Sequence, residues 1–243
     1  MRIIKLSATK STNSYLRELC TQENLDDYTV VIAGEQTEGR GQMGTQWQAQ
    51  SNKNLTFSVF KSYGKMEIEG QFYISMVVAL SILKTLQMLS ISGLKVKWPN
   101  DILSAEKKIC GVLIENVIKQ RHISASVVGI GLNVNQTQFE NLPKASSLKS
   151  ITGIHYNLDE LAILIIKRLK VYFDKLASGQ FQEIKRAYES HLFRKNKPST
   201  FKSSAGNTFV GFITGVSDSG KLEILEENQV TKLYDLKEVS LLY

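Results

Sequence analysis

Three glycines fall within six residues in Gly39-Arg40-Gly41-Gln42-Met43-Gly44, between the apolar run Thr29-Val30-Val31-Ile32-Ala33 and a polar stretch. A loop of this kind can fold its backbone tightly over a ligand, because glycine reaches conformations closed to other residues. The spelling Gly39-x-Gly41-x-x-Gly44 matches the dinucleotide fingerprint, but its context excludes that reading. A dinucleotide loop opens a helix and meets an acidic residue about 20 positions on. Here Gln48-Ala49-Gln50-Ser51-Asn52-Lys53-Asn54 is polar and non-periodic, and Val59-Phe60-Lys61 offers no acid. A second glycine motif, Gly215-Val216-Ser217-Asp218-Ser219-Gly220-Lys221, spells a P-loop except at its last position. Leu222 stands where a Ser or Thr would hold magnesium, and Leu222-Glu223-Ile224-Leu225 continues as a strand rather than a helix. This segment is expected to be a hairpin turn.

The glycine loop is followed by Lys97-Trp98-Pro99-Asn100-Asp101, which sets a cation, a turn and a carboxylate within five residues. Such a segment suits a site where charge is moved, and together with the loop it reads as an adenylate-forming site. Around these motifs the pattern predicts an α/β chain with an all-β end. Leu16, Leu19 and Cys20 share a helical face after the cap candidates Ser11 and Thr12, and 71–90 is a long apolar helix pattern. Segments 55–60, 94–97, 109–118 and 124–133 read as strands. A helix is predicted over 158–177 with Asn157 as its N-cap and Glu160 three residues later, and another over 181–192. After Pro198 short strands alternate with turns, as in a small barrel.

Length and composition fit one large domain, or one large and one small: 243 residues, 42% of them hydrophobic, can bury a sizeable core. Cys20 and Cys110 have no paired spacing, so neither a disulfide framework nor a zinc site is indicated, and a reducing cytoplasmic location is expected. The start of the chain is too short an apolar run for a signal peptide, and no stretch approaches the ~18 apolar residues of a membrane span. A net charge of +7 raises nucleic-acid binding as a question. The lysines are spread along the chain, however, and no zinc finger, RNP1 pattern or leading helix-turn-helix is visible, so DNA is not an expected partner. A basic surface could equally steer an acidic protein partner.

Four segments occur in a telling order: Ser11-Thr12-Asn13; Gln36-Thr37-Glu38-Gly39-Arg40-Gly41 with Trp47; Lys97-Trp98-Pro99-Asn100-Asp101; and Lys108-Ile109-Cys110-Gly111-Val112-Leu113-Ile114-Glu115. Gly129-Ile130-Gly131-Leu132-Asn133 follows them. The series resembles the biotin protein ligases, with their GRG loop, KWPND turn, KxxGxLxE strand and GxGxN strand end. The resemblance covers nearly the whole chain, and its motifs are specific in combination. It implies a class II synthetase-like catalytic domain over 1–196, with a mixed central sheet and flanking helices, and an SH3-like β-barrel over 197–243. Larger members carry an N-terminal DNA-binding domain. The closeness of Ser11 to Met1 leads to the expectation that this chain lacks one and does not repress transcription.

The resemblance also implies a chemistry: ATP activates biotin to biotinoyl-AMP, and biotin then passes to a lysine of a biotin carboxyl carrier protein. By family position Lys108 contacts carboxylate and phosphate, with Arg40 and Lys97 on the phosphate side. Ser11, Thr12 and Gln36 would bind the ureido ring, the backbone of Gly39 to Gly41 and Gly111 to Leu113 would line the chain, and Trp47 would pack near adenine. Asp101 matches the carboxylate that meets the acceptor lysine. Magnesium is expected to bridge phosphate oxygens; Asn100 and Asn133 are candidates for its ligands, which the sequence does not identify. Many members have an arginine-rich GRGRRGR loop, whereas Arg40 is the only loop cation here.

Two rivals are separable. A lipoate ligase shares the adenylation logic but should carry an RRxxGGG segment, which is absent, and lack KWPND. A non-catalytic nucleic-acid-binding module leaves the glycine loop, Lys97 to Asp101, and Lys108 unexplained. An exposed sheet edge could support a homodimer.

Overall fold

β-Branched and apolar residues crowd the segments that become the central strands, where both sheet faces are covered by helices and alternation gives way to continuous burial. The computed structural model describes all 243 residues. The chain begins with β1 (Ile3–Thr9), α1 (Thr12–Gln22), β2 (Val30–Gln36), β3 (Leu55–Glu67) and α2 (Gln71–Met88). There follow β4 (Leu94–Lys97), β5 (Asp101–Ser104), β6 (Lys107–Lys119), β7 (His122–Leu132), α3 (Leu148–Thr152), α4 (Leu158–Ala177) and α5 (Phe181–Ser190). It closes with β8 (Pro198–Ser203), β9 (Thr208–Val216), β10 (Leu222–Glu226), β11 (Thr231–Tyr234) and β12 (Val239–Leu242). A seven-stranded sheet runs β1-β2-β3-β7-β6-β5-β4, parallel only between β1 and β2, and a five-stranded antiparallel sheet runs β11-β10-β9-β8-β12. This mixed sheet with flanking helices, followed by a second β layer, is the fold class expected.

The two faces of the large sheet are covered unequally. On one, α1 seats Leu16 against Val31, Phe60, Ala125 and Val127. On the other, α2 lies between the sheet and α4, and it is buried on every side, including Ile74, Met76, Leu80, Ile82, Leu83 and Leu86. One expectation needs correcting here, because Ile68–Met88 is long and apolar enough to cross a membrane by length and composition. In the fold it is a core helix, with 72% of its most apolar stretch buried. Asn157 caps α4 as predicted, accepting from the N–H groups of Asp159 and Glu160.

Some elements were not predicted. β1 alternates Lys5 and Ser7 with apolar residues at an edge, pairing Ile3 with Val30 and Thr9 with Gln36. β5 holds four residues, and β3 runs past Phe60 to Glu67 after a register break between Ser62 and Met66. The predicted helix over 181–192 ends at Ser190.

The second glycine motif is a hairpin turn between β9 and β10, as expected, and it has a structural task. Trp98 Nε1–H donates to the Gly220 carbonyl at 2.9 Å, and Lys185 and Tyr73 both reach Asp218. The apolar core continues through this contact, taking in Phe201, Ile213, Val216, Leu222 and Ile224 together with α2. Gly220 has a φ of 90°, and a Cβ there would overlap the Phe72 ring. Gly206 has nearly the same φ but open space around it. Gly206→Ala should therefore cost about 1–2 kcal/mol of conformational strain, and Gly220→Ala should add about 1–3 kcal/mol of overpacking. Equal losses in urea titrations of the two variants would show that the turn is not packed as described.

Candidate active site

The site is built on a pair of glycines. β6 and β7 run antiparallel with Gly111 opposite Gly131 and Leu113 opposite Gly129, so the sheet surface dips where side chains would otherwise stand. The Trp47 indole lies in that dip: a Cβ on Gly131 would overlap it, and one on Gly111 would be 3.2 Å from its Cζ3 and 3.3 Å from Lys108 Cε. A cavity of about 520 Å³ opens above, within the size range of small-molecule sites.

The glycine loop forms one wall. Gly41 N–H donates to the Thr45 carbonyl at 2.7 Å and Trp47 N–H to the Gly39 carbonyl at 2.9 Å, closing a tight hairpin over residues 39–47. Within it Gln42–Gly44 make a short 3-10 turn, and Met43 stands exposed at its tip. The Trp47 Nε1–H is buried without a protein partner. Leaving such a donor unpaired costs about 1–3 kcal/mol, which suits a group that meets a ligand.

At one end of the cavity the polar groups are uncharged. Gln36 Oε1 accepts from Thr12 N–H at 2.8 Å and from its hydroxyl at 3.0 Å. Ser58 Oγ lies 2.7 Å from Thr12 Oγ1 and 2.6 Å from Asn13 Oδ1. Ser11 occupies the N-cap position of α1, but its side chain makes no capping bond and instead lines the cavity. The alternative account of Ser11 as a capping residue thereby loses its hydrogen bond.

At the other end the cations gather. Lys108 Nζ pairs with Asp101 Oδ1 at 2.7 Å and lies 5.8 Å from the Trp47 ring centre. Lys97 Nζ sits 5.2 Å from the Tyr243 ring centre, and Lys144 Nζ approaches the same ring to 3.9 Å. Burial is the largest influence on Lys97 and pushes its pKa down; Asp101 opposes the shift, while Lys108 and Lys144 add to it. Burial likewise pushes the Cys110 thiol well up, so it is inert at neutral pH.

Of the residues singled out from sequence, Ser11, Thr12, Gln36, Arg40, Gly41, Trp47, Lys97, Asn100, Asp101, Lys108, Gly111 and Leu113 all line this cavity. Gly39 and Asn133 do not. Gly39 backs the loop hairpin, and buried Asn133 turns its amide to the Ser146 carbonyl at 3.0 Å, fastening the end of β7 to the following loop. The Asn100 amide donates to the Val112 carbonyl, locking the turn to β6. Leu236 and Ser240 also line the cavity, and Tyr243 stands beside Lys97. No local motif marks these three, because they arrive from the far end of the chain.

Asp101 is the only carboxylate in the lining and is already paired, and no group of three acidic, His or Cys residues could hold a metal. Magnesium favours one or two carboxylates plus substrate phosphates. The lining therefore holds no preformed set of magnesium ligands, and a magnesium ion there would rest mainly on substrate phosphates.

The profile of the biotin/lipoate A/B protein ligase family matches residues 6–133, more than half of the chain, and takes in the segments from Ser11 to Asn133 that carry the resemblance. The chain belongs to this family. Among its relatives, the bifunctional ligase/repressor BirA of Bacillus spizizenii is 27% identical over 240 residues, covering 96% of this chain and 72% of that protein. The biotin--[acetyl-CoA-carboxylase] ligase of Mycobacterium tuberculosis is 26% identical over 222 residues, covering 89% of this chain and 80% of the relative. Among solved structures, biotin protein ligase from Aquifex aeolicus in complex with biotin and ATP superposes with a TM-score of 0.83 at 29% identity, over 99% of this chain and 98% of that one. As a family member the chain is a ligase, and the cavity between glycine loop and sheet is its candidate active site.

The Lys97 environment gives a direct test. In a carbon NMR titration of the lysine Cε signals, Lys97 should titrate below the usual value of about 10.4. Asp101→Asn should lower it further, since that carboxylate supports the charged form. An ordinary titration in both proteins would mean the ammonium stays hydrated.

Proposed function

We infer that the chain is a biotin protein ligase, using ATP to form biotinoyl-AMP and passing biotin to a lysine of a biotin carboxyl carrier protein. One observation carries this reading: a single cavity has an uncharged hydrogen-bonding cluster at one end and Lys108 and Lys97 around Asp101 at the other, with Arg40 in the lining but held on Glu115. A neutral ureido ring matches Ser11, Thr12 and Gln36, and an aliphatic chain matches the glycine-lined trough with Leu113 beside it. The dithiolane of lipoate offers nothing for the polar cluster to bind, which favours biotin over the lipoate branch of the family.

In the first step a carboxylate oxygen attacks the α-phosphorus of ATP, the bond to the bridging oxygen breaks, and pyrophosphate leaves. Two anions must meet, so the barrier is lowered by cations fixed where charge concentrates. Lys108 is placed for this, held against Trp47 and the Gly111 backbone. In the second step a lysine amine attacks the anhydride carbonyl and AMP departs. Only about one such amine in several thousand is neutral at pH 7, so a carboxylate that orients the ammonium and takes its proton is useful. Asp101 fits that role, and its pairing with Lys108 links the two steps: as Lys108 turns to the substrate carboxylate, Asp101 is released toward the incoming amine.

Exchange of labelled pyrophosphate into ATP should depend on biotin and not on lipoate; exchange with lipoate alone would overturn the assignment. Lys108→Ala should lower that exchange about a hundred- to a thousandfold, the range for losing a transition-state donor. Near-normal exchange in that variant would remove Lys108 from the mechanism. Asp101→Asn should slow transfer from supplied biotinoyl-AMP more than it slows adenylate formation. Equal slowing of both would make Asp101 a structural residue.

A further inference from the structure

Arg40, the only cation of the glycine loop, does not point freely into the cavity. Its Nη2 is 2.9 Å from Glu115 Oε2, and Arg17 Nη1 is 2.9 Å from Oε1 of the same carboxylate. Asn13 Nδ2 donates to Glu115 Oε2 at 2.8 Å and approaches the Leu113 carbonyl at 3.2 Å. The Glu115 side chain is 17% exposed against 44% for Arg40, so the acid is the enclosed member of the pair and the loop arginine the exposed one. Asn13 in turn joins the uncharged cluster: its Oδ1 meets Ser58, Ser58 meets Thr12, and Thr12 meets Gln36. An unbroken polar chain thus runs from the loop arginine through Glu115 to the residues assigned to the ureido ring. Gly129 makes room for it, since a Cβ there would overlap the Asn13 amide.

We propose that Glu115 is a positioning residue that latches the glycine loop through Arg40 and couples loop closure to occupancy of the uncharged end of the cavity. This rests on the biotin-ligase reading for the identity of that occupant. An exposed ion pair alone contributes little, but this carboxylate is largely enclosed and gathers three donors, two of them charged. Hydrogen bonds to charged groups are the stronger class. A ligand that reorders Thr12, Asn13 and Gln36 changes how firmly Asn13 holds Glu115, and through it Arg40. The bistable element is the loop hairpin, and Glu115 is the joint between it and the sheet.

The test needs no catalysis. Amide hydrogen exchange at Gly41 and Trp47, whose N–H groups close the hairpin, is read residue by residue in the full chain. Glu115→Gln should speed both amides about tenfold, a typical coupling between sites, and abolish most of the slowing that biotin alone produces in the wild type. Buried Ile224 in the second sheet should exchange unchanged, which shows that the fold is intact. Arg40→Gln, at the exposed end of the contact, should reproduce the effect without touching the core, and the double variant should match either single one. With biotin and MgATP supplied, Glu115→Gln should release several-fold more biotinoyl-AMP into solution, because an open loop admits water and lets the anhydride escape. Unchanged exchange in both single variants, or additive effects in the double, would overturn the latch. Absence of any biotin-dependent pyrophosphate exchange in the wild type would instead strike the functional reading and leave the latch standing on the ligand-free amide data.

Discussion

The close approach that Gly111 and Gly131 permit across β6 and β7 is the constraint on which the rest of the site depends. Opposed glycines leave a trough in an otherwise packed sheet, and Trp47 and the Lys108 stem are laid along it. With the indole seated there, the ends of the glycine hairpin are anchored, because Trp47 N–H closes onto Gly39. Lys108 in turn lies within reach of Asp101, because β5 pairs Asp101 with Gly111. One register therefore sets the positions of the loop, the cation and the carboxylate at once.

Each cation near the cavity is held by a partner on a different part of the scaffold: Lys108 by Asp101, Arg40 by Glu115, and Lys97 with Lys144 by the Tyr243 ring. The cations are thus kept beside the cavity where negative charge develops, and Lys108 has only to turn from Asp101 to meet it. The cost is repulsion and desolvation, visible in the downward shift at Lys97. The second sheet contributes to the arrangement. It docks through Trp98 and Gly220 on one side and brings Tyr243 to Lys97 on another, so the β tail is part of the site's support.

Much of this was legible in the chain because the motifs are local. Glycine spacing, the Lys97 to Asp101 turn and the Lys108 strand each report on a few adjacent residues, and backbone register then carries them to one place. The central strands and α4 were legible for the same reason: periodic burial leaves a pattern in composition. The edge strand β1 was hidden by its alternating lysine and serine, and β5 by starting at Asp101, inside the Lys97 to Asp101 segment that reads as a turn. Leu236, Ser240 and Tyr243 were hidden because contact across the whole chain leaves no local signature. Asn133 is a candidate for the adenylate side through the GxGxN motif of the resemblance, and in the fold its buried amide meets the Ser146 carbonyl. Sequence spacing does not say which face of a backbone the amide takes.

The claim most exposed to test is that the glycine trough shapes the binding cavity. Titration calorimetry of biotin into the wild type and Gly131→Ala, with far-UV dichroism showing the same secondary structure in both, addresses it directly. A Cβ at that position would overlap the indole and push Trp47 out of the trough, so affinity should fall at least about tenfold, equivalent to roughly 1.4 kcal/mol. Wild-type affinity in a folded Gly131→Ala protein would contradict the account, since biotin would then be bound without the surface on which the site is said to rest.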